Sequence, residues 1–229
     1  FDKRNKVFYD SFNKDEFFKN LLNLDHDSSP VIFDVGAHKG ESAIFFREIF
    51  QDAQIFCFEP NPNAAKHIED IKHRKNKIFN IALSDYNGIG NFNIQDISHL
   101  SSLNKVNKDS KSSLGYTENE KHKVINIDVK TGDEIIRELE IDKIDLLKID
   151  VQSNELATLK GFINSFKIIK NIIIEVSFYD FYEKKSSIGE IENVLEEFLL
   201  YDIFEISKNP KTLGTDWATI IYKNKNFND

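Results

Sequence analysis

VIFDVGAHKGES, residues 31–42, runs from a short apolar stretch through two glycines into a polar turn. VIFDV is apolar on both faces apart from Asp34, which reads as a strand buried in a sheet covered on both sides. Ser42 to Phe50 then has helical spacing. A strand, a glycine loop and a helix in that order open a βαβ unit. The two glycines, Gly36 and Gly40, do not match G-x-G-x-x-G, and no Walker Lys-Ser/Thr pair follows, so the loop is not a standard pyrophosphate cradle.

The same alternation continues outward from this loop. QIFCFE (54–59) reads as a second strand, with Asn61 as N-cap and Pro62 at the first position of the next helix. KIFNIAL (77–83) reads as a third strand, VINIDV (124–129) as a fourth, then IDLLKID (144–150) and NIIIEVSF (171–178). Thr131 with Glu134, and Ser187 with Glu190, have the capping-box pattern at helix starts. YDIFEI (201–206) and WATIIY (217–222) have only a Pro/Gly loop between them and should pair as an antiparallel hairpin. The expected fold class is α/β: a seven-stranded, mostly parallel sheet with an antiparallel last hairpin and helices on both faces. The chain, 1–229, reads as a single domain. Residues 1–29 form an N-terminal helical extension, with Phe8, Phe12, Phe18, Leu21 and Leu22 on its apolar side. Residues 84–123, rich in Ser, Lys and Asn, form an insertion: either a mobile surface loop or a lid over a site.

Composition narrows the partners. The net charge is −8, opposite to the basic footprint of nucleic-acid binders. No apolar run approaches the length of a membrane span. The single Cys57 excludes an internal disulfide and fits a reducing compartment, so a cytoplasmic location is expected. Cys57 lies within IFCF and reads as a small buried hydrophobe.

In open α/β sheets ligands bind beyond the carboxyl ends of the strands. Those ends carry Asp34, Gly36, His38 and Gly40; Glu59 and Pro60; Asn80, Ile81 and Ala82; Asp150; and Glu175. An acid at the end of the second strand suits the two hydroxyls of a ribose. An acid before the first glycine suits a cation. S-adenosylmethionine fits both, with its ammonium toward Asp34 and its carboxylate toward backbone N–H groups at the helix start near Ser42.

FDVGAHKG, FEPNP, NIALSD, SSL, IDLLKIDVQSNELATLKG and IIIEVSF together resemble, in order and spacing, the FkbM-type S-adenosylmethionine-dependent methyltransferases over residues 30–222. The resemblance implies a class I methyltransferase (Rossmann-like) fold and O-methylation of a sugar, glycan or natural-product hydroxyl. It implies a cofactor loop from Asp34, Gly36, His38, Gly40 and Ser42, a ribose ligand in Glu59 beside Pro60, adenine flanked by Asn80, Ile81 and Ala82, and Asp150 near the methyl group. The family pattern D-V-E-G-A-E is here Asp150-Val151-Gln152-Ser153-Asn154-Glu155, with Gln152 in place of an acid and Ser153 in place of a glycine.

A hydroxyl acceptor has to lose its proton, so a general base is expected. Asp150 and His38 are the candidates for that role, with His99 and His122 in the insertion as further imidazoles. Asp150 and Glu175 alone make a thin donor set for a divalent metal, and none is expected. Phe178, Tyr179, Phe181, Tyr182 and Trp217 can stack on a sugar face or pack the core. The alternatives are a degenerate cofactor-binding protein without turnover, suggested by Gln152 and Ser153, or an NAD-linked sugar-modifying enzyme, disfavoured by the missing G-x-G-x-x-G. The acceptor's identity and the oligomeric state are not encoded legibly.

Overall fold

The computed structural model describes residues 14–24, 28–70, 75–107, 122–209 and 213–227. Phe8, Phe12, His26 and His73 lie outside the described residues, as does the insertion from 108 to 121. The elements run α1 (Lys14–Leu22), β1 (Val31–Val35), α2 (Glu41–Ile49), β2 (Gln54–Phe58), α3 (Pro62–Asp70), β3 (Asn76–Phe79), β4 (Ala82–Leu83), β5 (Gly88–Gln95) and β6 (His122–Lys130). They continue with α4 (Gly132–Glu138), β7 (Ile144–Ile149), α5 (Glu155–Lys160), β8 (Ile169–Ser177), α6 (Ile188–Val194), β9 (Phe198–Lys208) and β10 (Thr215–Asn224).

Seven strands form one sheet in the order β3-β2-β1-β7-β8-β10-β9. Its strands are parallel from β3 to β8, and β10 runs antiparallel to both β8 and β9. The order turns back at β1, between β2 and β7, which is the switch point where open α/β sheets place their ligands. Alternate residues of the parallel strands feed two cores, as the period of two demands. Ile32, Ile55, Cys57 and Leu146 pack with Leu21, Phe46 and Ile68, under α1 to α3. Phe33, Phe56, Leu147 and Ile172 pack with Ile135, Leu159 and Ile191, under α4 to α6. Cys57 is fully buried, and burial pushes its thiol pKa far up.

Local rules explain the helix starts. Asn61 Oδ1 accepts from Asn63 N at 3.1 Å, Thr131 Oγ1 accepts from Glu134 N at 3.2 Å, and Ser187 with Glu190 forms a complete capping box. Each such cap contributes on the order of 1 kcal/mol.

Two strand expectations are corrected. KIFNIAL is not one strand. It breaks at Asn80, whose Nδ2 donates to the carbonyls of Glu59 and Pro60 at 2.8 and 3.0 Å, turning the chain over the end of β2. Beyond the break, β4 joins a second sheet of order β4-β6-β5. VINIDV therefore belongs to that small sheet and not to the main one. Within the insertion, Gly88 to Gln95 pairs antiparallel with β6 along its whole length, from Gly88↔Val129 to Gln95↔His122. The small sheet has its own apolar centre of Ala82, Phe92, Ile127 and Val129.

Candidate functional site

A cavity of about 880 Å³ opens at the carboxyl edge of the main sheet, where β1, β2, β7 and β8 end and β10 begins. This is within the range of small-molecule sites. Eight of the eleven site residues expected from sequence line it: Gly36, His38, Ser42, Glu59, Pro60, Ile81, Ala82 and Asp150. Asp34, Gly40 and Asn80 do not. Gly40 is the left-handed N-cap of α2 at φ 88°, and Asn80 ties the end of β2 as described.

Glu59 organises the loop after β1. Its Oε2 accepts from His38 N and its Oε1 from Asn61 N, both at 2.8 Å. Burial pushes its carboxyl up to about 7, and these two N–H bonds and nearby Lys148 pull the other way. Each oxygen keeps a second lone pair toward further donors. The other loop amides are engaged too: Gly36 N and Ala37 N donate to the Phe58 carbonyl, Lys39 N to Glu41, and Gly40 N to the Ala37 carbonyl. These bonds fix the loop against the end of β2 and the start of α2. Ser42, half-buried in the first turn of α2, and Glu41 before it are the polar side chains that the helix start presents to the cavity.

Gly36 is required for a reason other than ligand approach. Its φ is +80°, and a β-carbon there would lie 1.8 Å from the Asp150 carbonyl oxygen. The glycine lets the chain leaving β1 pass against the chain leaving β7.

Asp34 meets a cation, but the cation is internal. Its side chain is fully buried, and Lys148, its register partner on β7, donates from Nζ to Oδ1 at 3.0 Å. Burial raises the Asp34 carboxyl, and Lys148 opposes that shift. Burial also works against the charge of Lys148, but Asp34 and Asp150 outweigh it and hold the ammonium pKa above its ordinary value. Asp150 Oδ2 lies 3.8 Å from the same nitrogen. Lys148 reaches the cavity wall and was not anticipated. The signal was present: it is the one cation in an apolar strand, two residues before Asp150 and so on the same face.

Past Asp150 the chain turns through two positive-φ residues, Gln152 at 55° and Ser153 at 76°. Backbone of this kind costs of order 1 kcal/mol or more per residue and is held by its surroundings. Here Ser102 Oγ donates to the Gln152 carbonyl at 2.6 Å, Asn104 Nδ2 to the Ser153 carbonyl at 2.7 Å, and Ser153 Oγ to the Lys184 carbonyl. Gln152 Nε2 bridges two carboxylates, Asp150 Oδ1 at 2.9 Å and Glu175 Oε1 at 3.3 Å. Its Oε1 is 3.1 Å from the Tyr182 hydroxyl, which also lies 2.9 Å from the Leu100 carbonyl. Facing two acids, the amide must present its nitrogen to them, which leaves its oxygen to the tyrosine. Glu175 is pushed up to about 8 by burial and by the charges of Asp150 and Glu155.

The remaining walls come from the middle of the chain and from its C-terminal quarter. Ser98, His99, Leu100 and Ser101 form one side, and Tyr179, Phe181, Asp216 and Trp217 another. Within the insertion, the stretch from Ile97 to Ser101 is thus part of the cavity wall. His38 has both ring nitrogens engaged, Nδ1 with Glu41 at 3.2 Å and Nε2 with Ser98 Oγ at 2.8 Å. His99 lies beside it, with ring centroids 6.3 Å apart. His122 is exposed on β6 and His67 on α3, neither on the cavity wall. Tyr182 is buried beneath the wall, and Phe178 is exposed outside it. No group of three or more metal-ligating side chains occurs among the described residues.

A profile of the Methyltransferase FkbM domain matches residues 34–201. A 2-O-methyltransferase, NoeI, of Sinorhizobium fredii (strain NGR234) is 26% identical over 201 residues, spanning 80% of this chain and 77% of that protein. A hexuronic acid methyltransferase, AglP, of Haloferax volcanii is 28% identical over 159 residues, spanning 68% of this chain. The match spans only 59% of AglP's own length. Among solved structures, an rRNA methylase from Streptococcus thermophilus covers 93% of this chain and 98% of its own at 8% identity and a TM-score of 0.48; the fold assignment rests on strand order rather than on that likeness.

Proposed function

This chain belongs to the FkbM methyltransferase family, and from that premise we propose that it transfers the methyl group of S-adenosylmethionine to a hydroxyl of a sugar or glycan. The names of the two relatives, a 2-O-methyltransferase and a hexuronic acid methyltransferase, support an oxygen acceptor on a carbohydrate.

The observation that carries the cofactor reading is Glu59. Its two oxygens are fixed by the N–H groups of His38 and Asn61, yet each keeps capacity for one ribose hydroxyl. Phe58, Ile81, Ala82 and Leu83 add an apolar slot suited to a purine. These residues fit the group. Ser42 and Lys148, polar side chains on the cavity wall, are the groups assigned in this proposal to the amino-acid end.

The bound cofactor supplies a methyl carbon already activated by a sulfonium. The chain's own work is to align the acceptor, exclude water and take one proton. Asp150 is the group proposed to take it, held on one side by Gln152 Nε2 and facing Lys148 on the other. His38, a candidate from sequence, is better suited to holding the loop against Ser98, because both of its nitrogens are already used.

Titration calorimetry with S-adenosylhomocysteine tests this reading. One site per chain is expected. A folded sample that gives no heat at several temperatures overturns it.

A further inference from the structure

The donors and acceptors on the cavity wall are unequal. Among the described residues, Lys148 is the only Lys or Arg that lines the cavity, and it already faces Asp34 at 3.0 Å and Asp150 at 3.8 Å. The amide nitrogen of Gln152 is committed to Asp150 and Glu175. Asn209 Nδ2 is committed to Asp216 Oδ1 at 3.2 Å. What the wall offers in excess is carboxylate: Glu41 and Glu59 at the glycine loop, Asp150 where that loop passes the end of β7, and Glu175 on β8 and Asp216 on β10 at the end beyond it. The field at Glu175 is already negative enough that Asp150 and Glu155 add to burial in pushing its carboxyl up to about 8.

Aromatic rings complete that end. Trp217, half-buried at the start of β10, lines the cavity with Tyr179 and Phe181. Flat apolar rings beside hydrogen-bond acceptors match a pyranose, which presents C–H faces and O–H donors at once.

Resting on the methyltransferase reading, we infer that the acceptor is a sugar without a carboxylate, a neutral or amino sugar, seated between Trp217 and the carboxyl groups of Asp150 and Glu175. Hydroxyl and ammonium groups donate to the acids that line this end. The carboxylate of a uronate brings no donor to this end, and it would add an anion beside Asp150, Glu175 and Asp216, where charge is already disfavoured enough that Glu175 is pushed up to about 8. Like charges brought together are a principal means of rejecting a wrong partner. The inference separates this chain from its relative that carries hexuronic acid in its name.

Trp217 is the only tryptophan of the chain, so its emission reads this end of the cavity directly. With saturating S-adenosylhomocysteine, methyl glucoside, methyl glucosaminide and methyl glucuronide are titrated separately. The first, the second or both are expected to change the emission saturably, with the glucuronide at least ~100-fold weaker, as a buried like-charge contact implies. Run at about pH 9, above the value of about 8 to which Glu175 is pushed, the titrations meet it ionised, and Glu175→Gln is expected to narrow that gap at least ~tenfold, because it removes that anion. Glucuronide binding as tightly as the other two overturns the inference. So does an emission unmoved by all three sugars, or a gap that Glu175→Gln leaves unchanged. Failure to bind S-adenosylhomocysteine in the parallel calorimetry instead overturns the methyltransferase reading on which the inference rests.

Discussion

Lys148 Nζ lies 3.0 Å from Asp34 Oδ1, joining two adjacent parallel strands through a buried ion pair directly beneath the cavity. The acid before the glycine loop is thereby neutralised from within. Breaking a buried pair by removing one partner leaves a bare charge, at a cost of roughly 3–5 kcal/mol. Lys148→Met alone should destabilise by about that much. Adding Asp34→Leu should recover most of the loss, because an apolar pair of similar volume suits this core. Urea midpoints of the two single variants and the double variant measure it; a double variant no better than Lys148→Met contradicts the account.

Glu59→Ala should weaken S-adenosylhomocysteine binding at least tenfold, on the order of the ~1.5–3 kcal/mol of a charge-assisted hydrogen bond. It also releases the N–H groups of His38 and Asn61, so the loop should loosen. Glu59→Gln separates the effects, since its carbonyl oxygen still accepts. Calorimetry beside a thermal melt gives both readouts, and unchanged affinity in Glu59→Ala removes Glu59 from the ribose role.

Glu175 sets a pH dependence. Its folded pKa of about 8 lies above the ordinary glutamate value of 4.5, so the folded chain holds a proton that the unfolded chain has lost between those values. The stabilising contribution is full below about pH 4.5 and is lost as pH rises through about 8. Glu175→Gln, which cannot ionise, should therefore raise the melting temperature by a few degrees at pH 8 and change little near pH 4.5. A gain of equal size at both pH values would point to packing instead.

Gly36→Ala should be among the most damaging single changes in the chain. It combines a positive φ with a β-carbon 1.8 Å from the Asp150 carbonyl oxygen. A loss of roughly 3 kcal/mol or more is expected from strain and overlap together. A variant with wild-type stability in chemical denaturation would mean that the β1 and β7 ends separate readily to admit the extra carbon.

Ser153 holds φ at 76°, where glycine rests without strain. Ser153→Gly relieves the backbone but loses the bond to the Lys184 carbonyl, so the two effects should nearly cancel. Ser153→Ala loses the bond and keeps the strain, and should be about 1 kcal/mol less stable than Ser153→Gly. Paired denaturation curves decide the order.

The main sheet was readable because its strands are apolar on both faces, and the last hairpin because no helical pattern separates its halves. The caps at Asn61, Thr131 and Ser187 followed from side-chain chemistry acting within a few residues. What failed was anything set at long range. Periodicity assigns VINIDV to a strand but does not say which sheet, and only its pairing with residues 88–95 decides that. The partner of Asp34 is 114 residues away, so the sequence suggests a cation beside it without pointing to Lys148. Gln152, read as a loss relative to the family pattern, is the group that holds Asp150 and Glu175 together.

Cys57 has a practical consequence. It is the chain's sole thiol, fully enclosed on β2, and burial keeps it from ionising. Native protein therefore offers thiol reagents almost nothing to attack. A cysteine introduced at an exposed position can carry a spin label or fluorophore alone, with no need to remove the natural one and disturb the sheet.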